Sequence, residues 1–350
     1  MTNSQLVITT ISASDSTLWD QYVQKHKGHS PYHLFAWLAA IETAYAHEVY
    51  YLVAKQESKV VGVLPLVNIR IPLKGSSLCS LPFCDVGGCL ADNNEIQAEL
   101  EQKAAELKGQ LSSKSIEYRE RAENNEEAQF EGRKVSMLLP LPATSEELFS
   151  GFKSKLRSQI RKAEKNDLSY ELGTTQQFVD DFYAVFSENM LRLGSPVHSK
   201  KWIESICEQY KEQCIIAVVK LDGVAVGAGI VLFTNDKACI PWASTRAEYN
   251  RLSPNMMLYW ALLKFVTDNG CSEFDFGRST YNEGTFRFKQ QWGAKPTLLE
   301  WRDDTIHDNS QADVVQSTSS LKSLVESIWK KLPLAVANTI GPKLRRYISL

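Results

Sequence analysis

The chain has 350 residues, 43% of them hydrophobic, which suits two domains of about 150 residues each. Its 39 basic and 41 acidic residues give a formal net charge of -2, which excludes a general nucleic-acid coat but leaves a local basic patch open. The N-terminus lacks the basic start and apolar core of a signal peptide, and no stretch approaches the ~20 apolar residues of a membrane span, so we expect a cytoplasmic protein.

The first predicted module spans residues 1–142. A helix near Tyr32–Tyr45 precedes a hairpin whose strands are Tyr50–Lys55 and Val60–Ile69. A short buried strand, Leu78–Phe83, leads into a loop rich in turn residues. A polar helix and two further strands complete a mixed α/β pattern.

The second predicted module spans residues 143–301. A capping box at Thr144–Glu147 starts a helix whose apolar stripe continues to Ala163. A second hairpin, with strands at 214–220 and 224–233, turns at an Asp-Gly pair, which is a strong hairpin signal. A strand, a helix beginning at Ser253-Pro254 and another strand follow. The order again predicts a mixed α/β module.

The end of the chain has a different character. Residues 302–320 are polar without a periodic pattern, and we interpret them as a linker. The tail at 321–350 carries six basic residues and one helical stripe of apolar residues, formed by Leu321, Leu324, Val325, Ile328 and Leu332. This pattern predicts either peripheral contact with an anionic inner membrane or docking on the protein itself, and both remain open.

The sequence repeats at an offset of 165 residues without a gap. The matches follow one order, an aromatic-bearing helix, a strand, a tight turn and a second strand. Self-similarity at a fixed period marks a duplicated unit, so we predict tandem copies of one module, with function in a cleft that they share. The matched pairs are Trp37 and Trp202, Ile41 and Ile206, Tyr45 and Tyr210, Val53 and Val218, Lys55 and Lys220, Val61 and Val226, and Gly62 and Gly227.

A basic segment at 152–165 combines six cations with a single acid. Lys153, Arg157 and Arg161 recur every fourth position, so they stack along one helix face, where like charges repel by about 0.2–0.5 kcal/mol per pair. The pattern is typical of a solvated helix face. The alternative is a site for the phosphate of a nucleotide, a tRNA or a lipid-linked sugar.

The helix that begins at Ser253 is a candidate anion site, flanked by Asn255 and Arg246. A helix N-terminus offers free amides and the positive end of the helix dipole. The loop at 246–252 contains no glycine, so its backbone is poorly suited to approach a pyrophosphate closely.

Polar residues also follow the predicted strand at Glu273–Phe276. Asp275, Arg278 and Ser279 leave a buried strand, which favours a cleft, although a structural Asp–Arg pair is the alternative. In the next segment, Lys289 lies among aromatic residues. Such a lysine is either a snorkelling stem or a fixed cation for the oxyanion of an acyl-transfer step.

The seven cysteines include three, Cys79, Cys84 and Cys89, that are separated by four intervening residues each, and no pair has the two intervening residues typical of zinc sites. We therefore expect free thiols in a reducing compartment and no metal.

Seven motifs follow one another along the chain: HLFAW, GVLPLV, SLPFCDVGG, KLRSQIRKAEK, SPNMMLYW, DFGRS and FRFKQQWGA. Together they resemble the motifs of FemAB-type proteins, and more closely those of the FemAB-related subgroup associated with exosortase and PEP-CTERM systems. The resemblance covers roughly residues 32–301, and the basic ending also resembles that subgroup.

The resemblance implies two tandem GNAT-like domains, the acyl-CoA N-acyltransferase fold. It implies an acyltransferase with no tightly bound cofactor, whose donor substrate is acyl-CoA or aminoacyl-tRNA. The acceptor would be a small-molecule or lipid-linked saccharide or peptide of the cell envelope or of exopolysaccharide metabolism. In GNAT enzymes a glycine-containing loop binds the coenzyme A pyrophosphate, and this chain departs from that pattern at 246–252.

We assign candidate roles on this basis. Lys289, Arg278 and Asp275 are the candidate catalytic residues; Arg157, Arg161, Lys153, Tyr281, Trp292 and Ser279 are candidates for substrate binding; and Ser253, Asn255 and Arg246 are candidates for the donor's carrier.

Two rival functions remain. The missing glycine loop and the weak general-base candidates, Tyr281 and Glu283, favour a non-catalytic, degenerate acyltransferase that binds an envelope precursor. The basic tail would suit a membrane-surface scaffold.

Overall fold

The computed structural model describes residues 5–122, 126, 129–305 and 325–349, and contacts divide them into two compact units. The first unit contains residues 5–122, 299–305 and 347–349, and the second contains 126, 129–298 and 325–346. The sequence-based division at 142/143 differs from this one and stays a prediction about separate domains.

The first unit packs helices against a mixed sheet. Its elements are β1 (Leu6–Ile11), α1 (Ser16–Val23), α2 (Phe35–Tyr45), β2 (Glu48–Gln56), β3 (Lys59–Ile71), β4 (Gly75–Cys79), β5 (Leu90–Ala91), α3 (Asn94–Leu111) and β6 (Ile116–Arg121). The sheet order is β1-β2-β3-β4-β6, and β5 pairs with β3. Strands β4 and β6 run parallel, whereas the other neighbours are antiparallel. Residues Leu299–Asp303 add a final strand beside β6.

The second unit contains the remaining described elements. Its strands are β7 (Lys134–Pro140), β8 (Leu168–Gly173), β9 (Cys214–Leu221), β10 (Val224–Phe233), β11 (Lys237–Thr245), β12 (Glu273–Thr280) and β13 (Lys295–Asp303), of which Lys295–Leu298 pairs with β7. Its helices are α4 (Ser145–Gly151), α5 (Ser154–Glu164), α6 (Gln176–Leu193), α7 (Lys200–Tyr210), α8 (Pro254–Asp268), α9 (Gly284–Gln291) and α10 (Leu334–Arg345). The sheet order is β8-β9-β10-β11-β12-β7-β13.

The two sheets share one topology. The order β1-β2-β3-β4-β6 corresponds to β8-β9-β10-β11-β12, and the fourth and fifth strands of each series run parallel. The two hairpins, β2-β3 and β9-β10, therefore occupy the same place in their sheets, as duplication requires. The expected mixed α/β class is confirmed.

A β-bulge recurs at the same position of the repeat. The register between β2 and β3 skips Val61, and the register between β9 and β10 skips Val226. Each lies directly before the glycine of the repeat, Gly62 or Gly227. A Cβ on Gly62 would lie 2.8 Å from Ile96 of α3, so glycine at this position allows the helix to pack closely on the strand.

The basic segment departs from the expected single helix, because the chain forms α4 and α5 instead. Phe152 ends α4 with φ −68° and ψ 147°, an extended conformation that breaks the helix. Phe152 and Leu156 are nevertheless buried, so the apolar stripe is kept across the break.

The tail is helical but is oriented differently from the expectation. The predicted stripe includes Val325 and Ile328, which are 59% and 57% exposed, whereas Trp329 and Ala337 are 8% and 2% exposed. A Cβ on Gly341 would lie 3.1 Å from the backbone nitrogen of Val197, so a small residue lets α10 pack closely on the segment between α6 and α7.

The predicted linker and the predicted tail stripe, which includes Leu321 and Leu324, fall partly outside the described residues. Strand β13 continues to Asp303, two residues into the predicted linker, and residues 306–324 lie outside the described part. Of the helices in the described ranges, none has the length and hydropathy needed to cross a membrane.

Candidate functional site

Two neighbouring strands of the second unit stop pairing at one point. Strands β11 and β12 pair in parallel from Lys237 opposite Glu273 to Cys239 opposite Asp275. Beyond this point β12 bends, because its register with β7 shifts between Asp275 and Arg278, and Gly277 has a φ of 74°. Glycine adopts that conformation without the strain of a side chain. The bend therefore lies where the parallel ladder ends.

Asp275 stabilises this bend through hydrogen bonds to its carboxylate. Its carboxylate is 4% exposed, and Oδ1 accepts hydrogen bonds from Ser136 Oγ and from the backbone nitrogen of Gly277, both at 2.8 Å. A buried carboxylate needs such donors to offset the loss of water. Ser136 lies on β7, so the contact joins the bend to the neighbouring strand.

Lys289 forms hydrogen bonds to backbone carbonyls of the same bend. It lies on α9, is 8% exposed, and its Nζ donates to the carbonyl oxygens of Gly277 at 2.9 Å and Arg278 at 2.8 Å. The structure thus brings together the three candidate catalytic residues, Asp275, Arg278 and Lys289. Their catalytic roles stay predictions.

Two buried polar atoms after the bend have no hydrogen-bond partner among the described residues. They are the hydroxyl of Ser279, which is 4% exposed, and Nε1 of Trp292, which is 1% exposed. A buried donor without a partner costs about 1–3 kcal/mol, so a ligand or water that accepts these bonds would stabilise the site.

Aromatic side chains surround this segment. Trp292 lies 5.5 Å from the ring of Phe152 and 6.1 Å from that of Tyr259, and Tyr281 lies 4.8 Å from the ring of Phe286. Burial raises the pKa of Tyr259 to about 12, so its hydroxyl stays protonated at neutral pH. Because Trp292 is almost fully buried, it contributes an apolar wall rather than an exposed platform for substrate.

The start of α8 has no open glycine loop. A 3-10 helix, Ala247–Leu252, fills the place, and Ser253 adopts a left-handed conformation with φ 61°. Arg246 is paired with Glu188, with Nη2 2.8 Å from Oε1, and Asn255 is half-buried. A coenzyme A pyrophosphate bound here would therefore contact the N-terminus of α8 and Arg246, which is already paired with Glu188.

The candidate phosphate residues of α5 are partly used within the protein. Arg157 Nη1 donates to the carbonyl oxygens of Ser150 and Phe152, at 3.0 and 2.6 Å, and so caps the end of α4. The guanidinium of Arg161 lies 5.4 Å from the ring centre of Phe149, a cation–π distance. Lys153 is exposed. These roles reduce the charge available from the predicted basic stripe.

In the first unit, the place that corresponds to the end of the β11-β12 ladder is the end of the β4-β6 ladder, and the protein's own chain occupies it. Strands β4 and β6 pair only at Leu78–Cys79 and Ile116–Glu117. Beyond that pair, Gly87 N donates to the Arg119 carbonyl at 2.9 Å. The fully buried Arg119 side chain donates to the Ser349 carbonyl at 3.1 Å. The second unit is therefore the better candidate for ligand binding.

Ser136 was not identified from the sequence as part of the site, and Gly277 lay within the predicted DFGRS segment without an assigned role. Ser136 precedes Asp275 by 139 residues, and no motif links them, because only the pairing of β7 with β12 brings them together. Gly277 had a sequence signal, since it directly follows a predicted strand.

Comparisons with known proteins agree with this topology. The acetyltransferase (GNAT) domain family matches residues 150–290, which include α5, the β11-β12 pair and Lys289. No curated protein matches the chain.

Solved structures extend the likeness to both units. FemX superposes with a TM-score of 0.69 at 15% identity, covering 91% of this chain and 100% of FemX. A tandem GNAT protein from the clavulanic acid biosynthesis pathway gives 0.51 at 13%, covering 87% of this chain and 100% of that one. The C-terminal domain of a putative lysylphosphatidylglycerol synthetase from Agrobacterium fabrum gives 0.53 at 14%, covering 82% and 90%. At these identities the likeness establishes the fold, and the expected tandem GNAT architecture is confirmed.

Proposed function

We propose that this protein is an acyl- or aminoacyl-transferase of FemAB-like type. It would act on an amine or hydroxyl of a cell-envelope or exopolysaccharide-related acceptor. The observation that carries the proposal is the bend after Asp275. There, within the stretch matched by the GNAT family, the β11-β12 ladder ends beside the buried Lys289.

The proposed step is nucleophilic acyl transfer. The acceptor's nitrogen or oxygen attacks the donor carbonyl, the bond from that carbon to the donor's sulfur or oxygen breaks, and the acceptor releases a proton. Negative charge develops on the carbonyl oxygen, where a fixed cation or donor in a dry site stabilises it. Lys289 of α9 is the candidate cation, and the hydroxyl of Ser279 is a buried donor on β12.

Acyl-CoA is the donor that we favour. The matched family is one of acetyltransferases, and the start of α8 retains the amides of a helix N-terminus. An aminoacyl-tRNA donor is supported only by the resemblance to FemAB proteins, and the same is true of an exosortase-linked role. Because Arg246 is paired with Glu188, coenzyme A binding would need Arg246 either to leave Glu188 or to donate to the pyrophosphate as well.

Turnover separates this proposal from a non-catalytic binding protein. The purified protein would be incubated with acetyl-CoA and amine or hydroxyl acceptors, among them amino sugars and short peptides, and the products identified by mass spectrometry. A product that gains one acyl group, at a rate above the enzyme-free reaction, is expected. Retention of donor and acceptor without product, under conditions in which both bind, would instead support the degenerate binding protein.

A further inference from the structure

A surface hollow of about 410 Å³ lies between α5 and α9 of the second unit. Its polar lining has two kinds of side chain. The cations are Lys153, Lys155 and Arg287, and the carboxamides are Gln159, Gln290 and Gln291. The lining contains no carboxylate, so its electrostatic potential favours an anion.

The cations of this hollow differ from those used elsewhere on α5. Arg157 caps α4, and Arg161 lies over the ring of Phe149. By contrast, the three cations of the hollow are exposed, and the described part of the chain gives them no carboxylate partner. They come from two helices, so they approach the hollow from two sides. An arginine and two lysines in this arrangement suit the oxygens of a phosphate.

The carboxamides add a second requirement. Gln159 Oε1 is buried and has no hydrogen-bond partner among the described residues, so it would accept a hydrogen bond from a hydroxyl or amide of a ligand. Gln290 and Gln291 supply further donors and acceptors on the opposite wall. Such groups recognise a ligand rich in hydroxyls rather than an inorganic anion.

Helix α9 connects this hollow to the bend of β12. Gln290 and Gln291 lie about one turn after Arg287 on the same side of α9, whereas Lys289 is buried and bonded to the Gly277 and Arg278 carbonyls. A ligand in the hollow would therefore contact the same helix that positions the candidate catalytic lysine.

We propose that the hollow between α5 and α9 binds the phosphate and adjoining sugar of a phosphorylated saccharide. This inference rests on the proposed function only in taking that saccharide to be part of the acceptor. Binding itself requires no donor and no turnover.

Calorimetry with N-acetylglucosamine 1-phosphate tests the site. The double variant Lys155→Gln/Arg287→Gln should weaken binding by about ten- to hundredfold, because hydrogen bonds from charged donors are lost. The control Lys74→Gln/Lys201→Gln removes the same charge from exposed positions outside the hollow and should bind like wild type. Equal affinity of the two double variants, or no binding by the wild type, would overturn the proposal.

Further probes separate the parts of the ligand. Gln159→Leu should weaken binding of the sugar phosphate but not of inorganic phosphate, and unphosphorylated N-acetylglucosamine should bind less tightly than its phosphate. If inorganic phosphate binds as tightly as the sugar phosphate, the sugar half of the proposal is wrong. A nucleoside diphosphate sugar in solution and a polyprenyl phosphate-linked sugar in detergent then distinguish the two carriers.

Discussion

Lys289 has a structural role and a proposed catalytic role, and experiment can separate the two. Its Nζ bonds to two backbone carbonyls at the bend of β12, and its position suits an oxyanion at the end of the β11-β12 ladder. The first role concerns stability, because carbonyls that lose a charged donor in a buried place are costly. The second concerns the transition state.

Lys289→Met should therefore lower both stability and turnover. The free energy of unfolding should fall by about 1.5–3 kcal/mol, because two hydrogen bonds from a charged donor are lost. Turnover should fall by ~10²–10³ if the cation stabilises the oxyanion. Urea denaturation and initial rates measure the two effects.

Ser136→Ala is the matched control for this variant. It removes the 2.8 Å hydrogen bond to Asp275 and so loosens the same bend without touching the cation. We expect a loss of about 1 kcal/mol in stability and near-normal turnover. If Lys289→Met retained a rate within a few-fold of Ser136→Ala, its catalytic role would be refuted.

Asp20 is a partly buried carboxylate far in sequence from the candidate site. Its Oδ1 accepts a hydrogen bond of 2.8 Å from Phe35 N, the first residue of α2. Burial raises the pKa of Asp20 from 3.8 to about 6, although that hydrogen bond acts in the opposite direction. The native state therefore holds the proton more tightly than the unfolded chain does.

The contribution of Asp20 to the free energy of unfolding should be present at acid pH and should decline as the pH rises from about 4 to about 6. Asp20→Asn keeps an oxygen for Phe35 N but removes the titration. Relative to wild type it should gain about 2–3 kcal/mol of unfolding free energy between pH 4 and pH 7. Urea titrations of the first unit's transition at several pH values measure this, and a difference independent of pH would contradict it.

The residue scale also shows what the sequence could not specify. The cluster of Asp275, Arg278 and Lys289 was predictable, because a short return places neighbours in sequence at one strand end. The capping role of Arg157 was not, because a pattern of charges carries no information about which backbone carbonyls lie within reach.

At the scale of elements, α10 bears on an alternative that the sequence left open. Ala337 is buried and Gly341 packs near Val197, within the second unit, whereas Val336, Ile340 and Leu344 are 39%, 42% and 45% exposed and recur every fourth position. The buried residues and the exposed apolar residues thus lie on adjacent faces of one helix, and membrane contact through the exposed face stays a prediction. The described tail also contains five basic residues and one acid, Lys330, Lys331, Lys343, Arg345, Arg346 and Glu326, a charge balance that complements an anionic membrane.

Substitutions on the two faces should have opposite consequences. Val336→Ser/Ile340→Ser should weaken binding to anionic vesicles, because exposed apolar area is removed, while the melting temperature changes little. Gly341→Leu should lower stability by about 1–3 kcal/mol, because its side chain would meet the backbone of Val197. Vesicle sedimentation and thermal unfolding measure the effects, and absence of wild-type vesicle binding would exclude the membrane role.

At the scale of the whole chain, the repeat was the most informative sequence feature. It predicted two hairpins in equivalent places, and the structure adds that Val61 and Val226 are both skipped in the register. The partners of the sheets' last strands were not predictable, because pairing between distant segments leaves no local pattern. The match at one offset covers the hairpins but not β13.

Strand β13 imposes an order of events on synthesis. Its residues Leu299–Asp303 complete the first sheet beside β6, which ends at Arg121. The ribosome must add about 180 residues between these points, which takes roughly 10–40 s at ordinary elongation rates. Throughout that interval the nascent β6 presents an open edge, a template for pairing with other chains. Messages truncated before β13 should therefore yield insoluble protein even though most of the first unit has been translated.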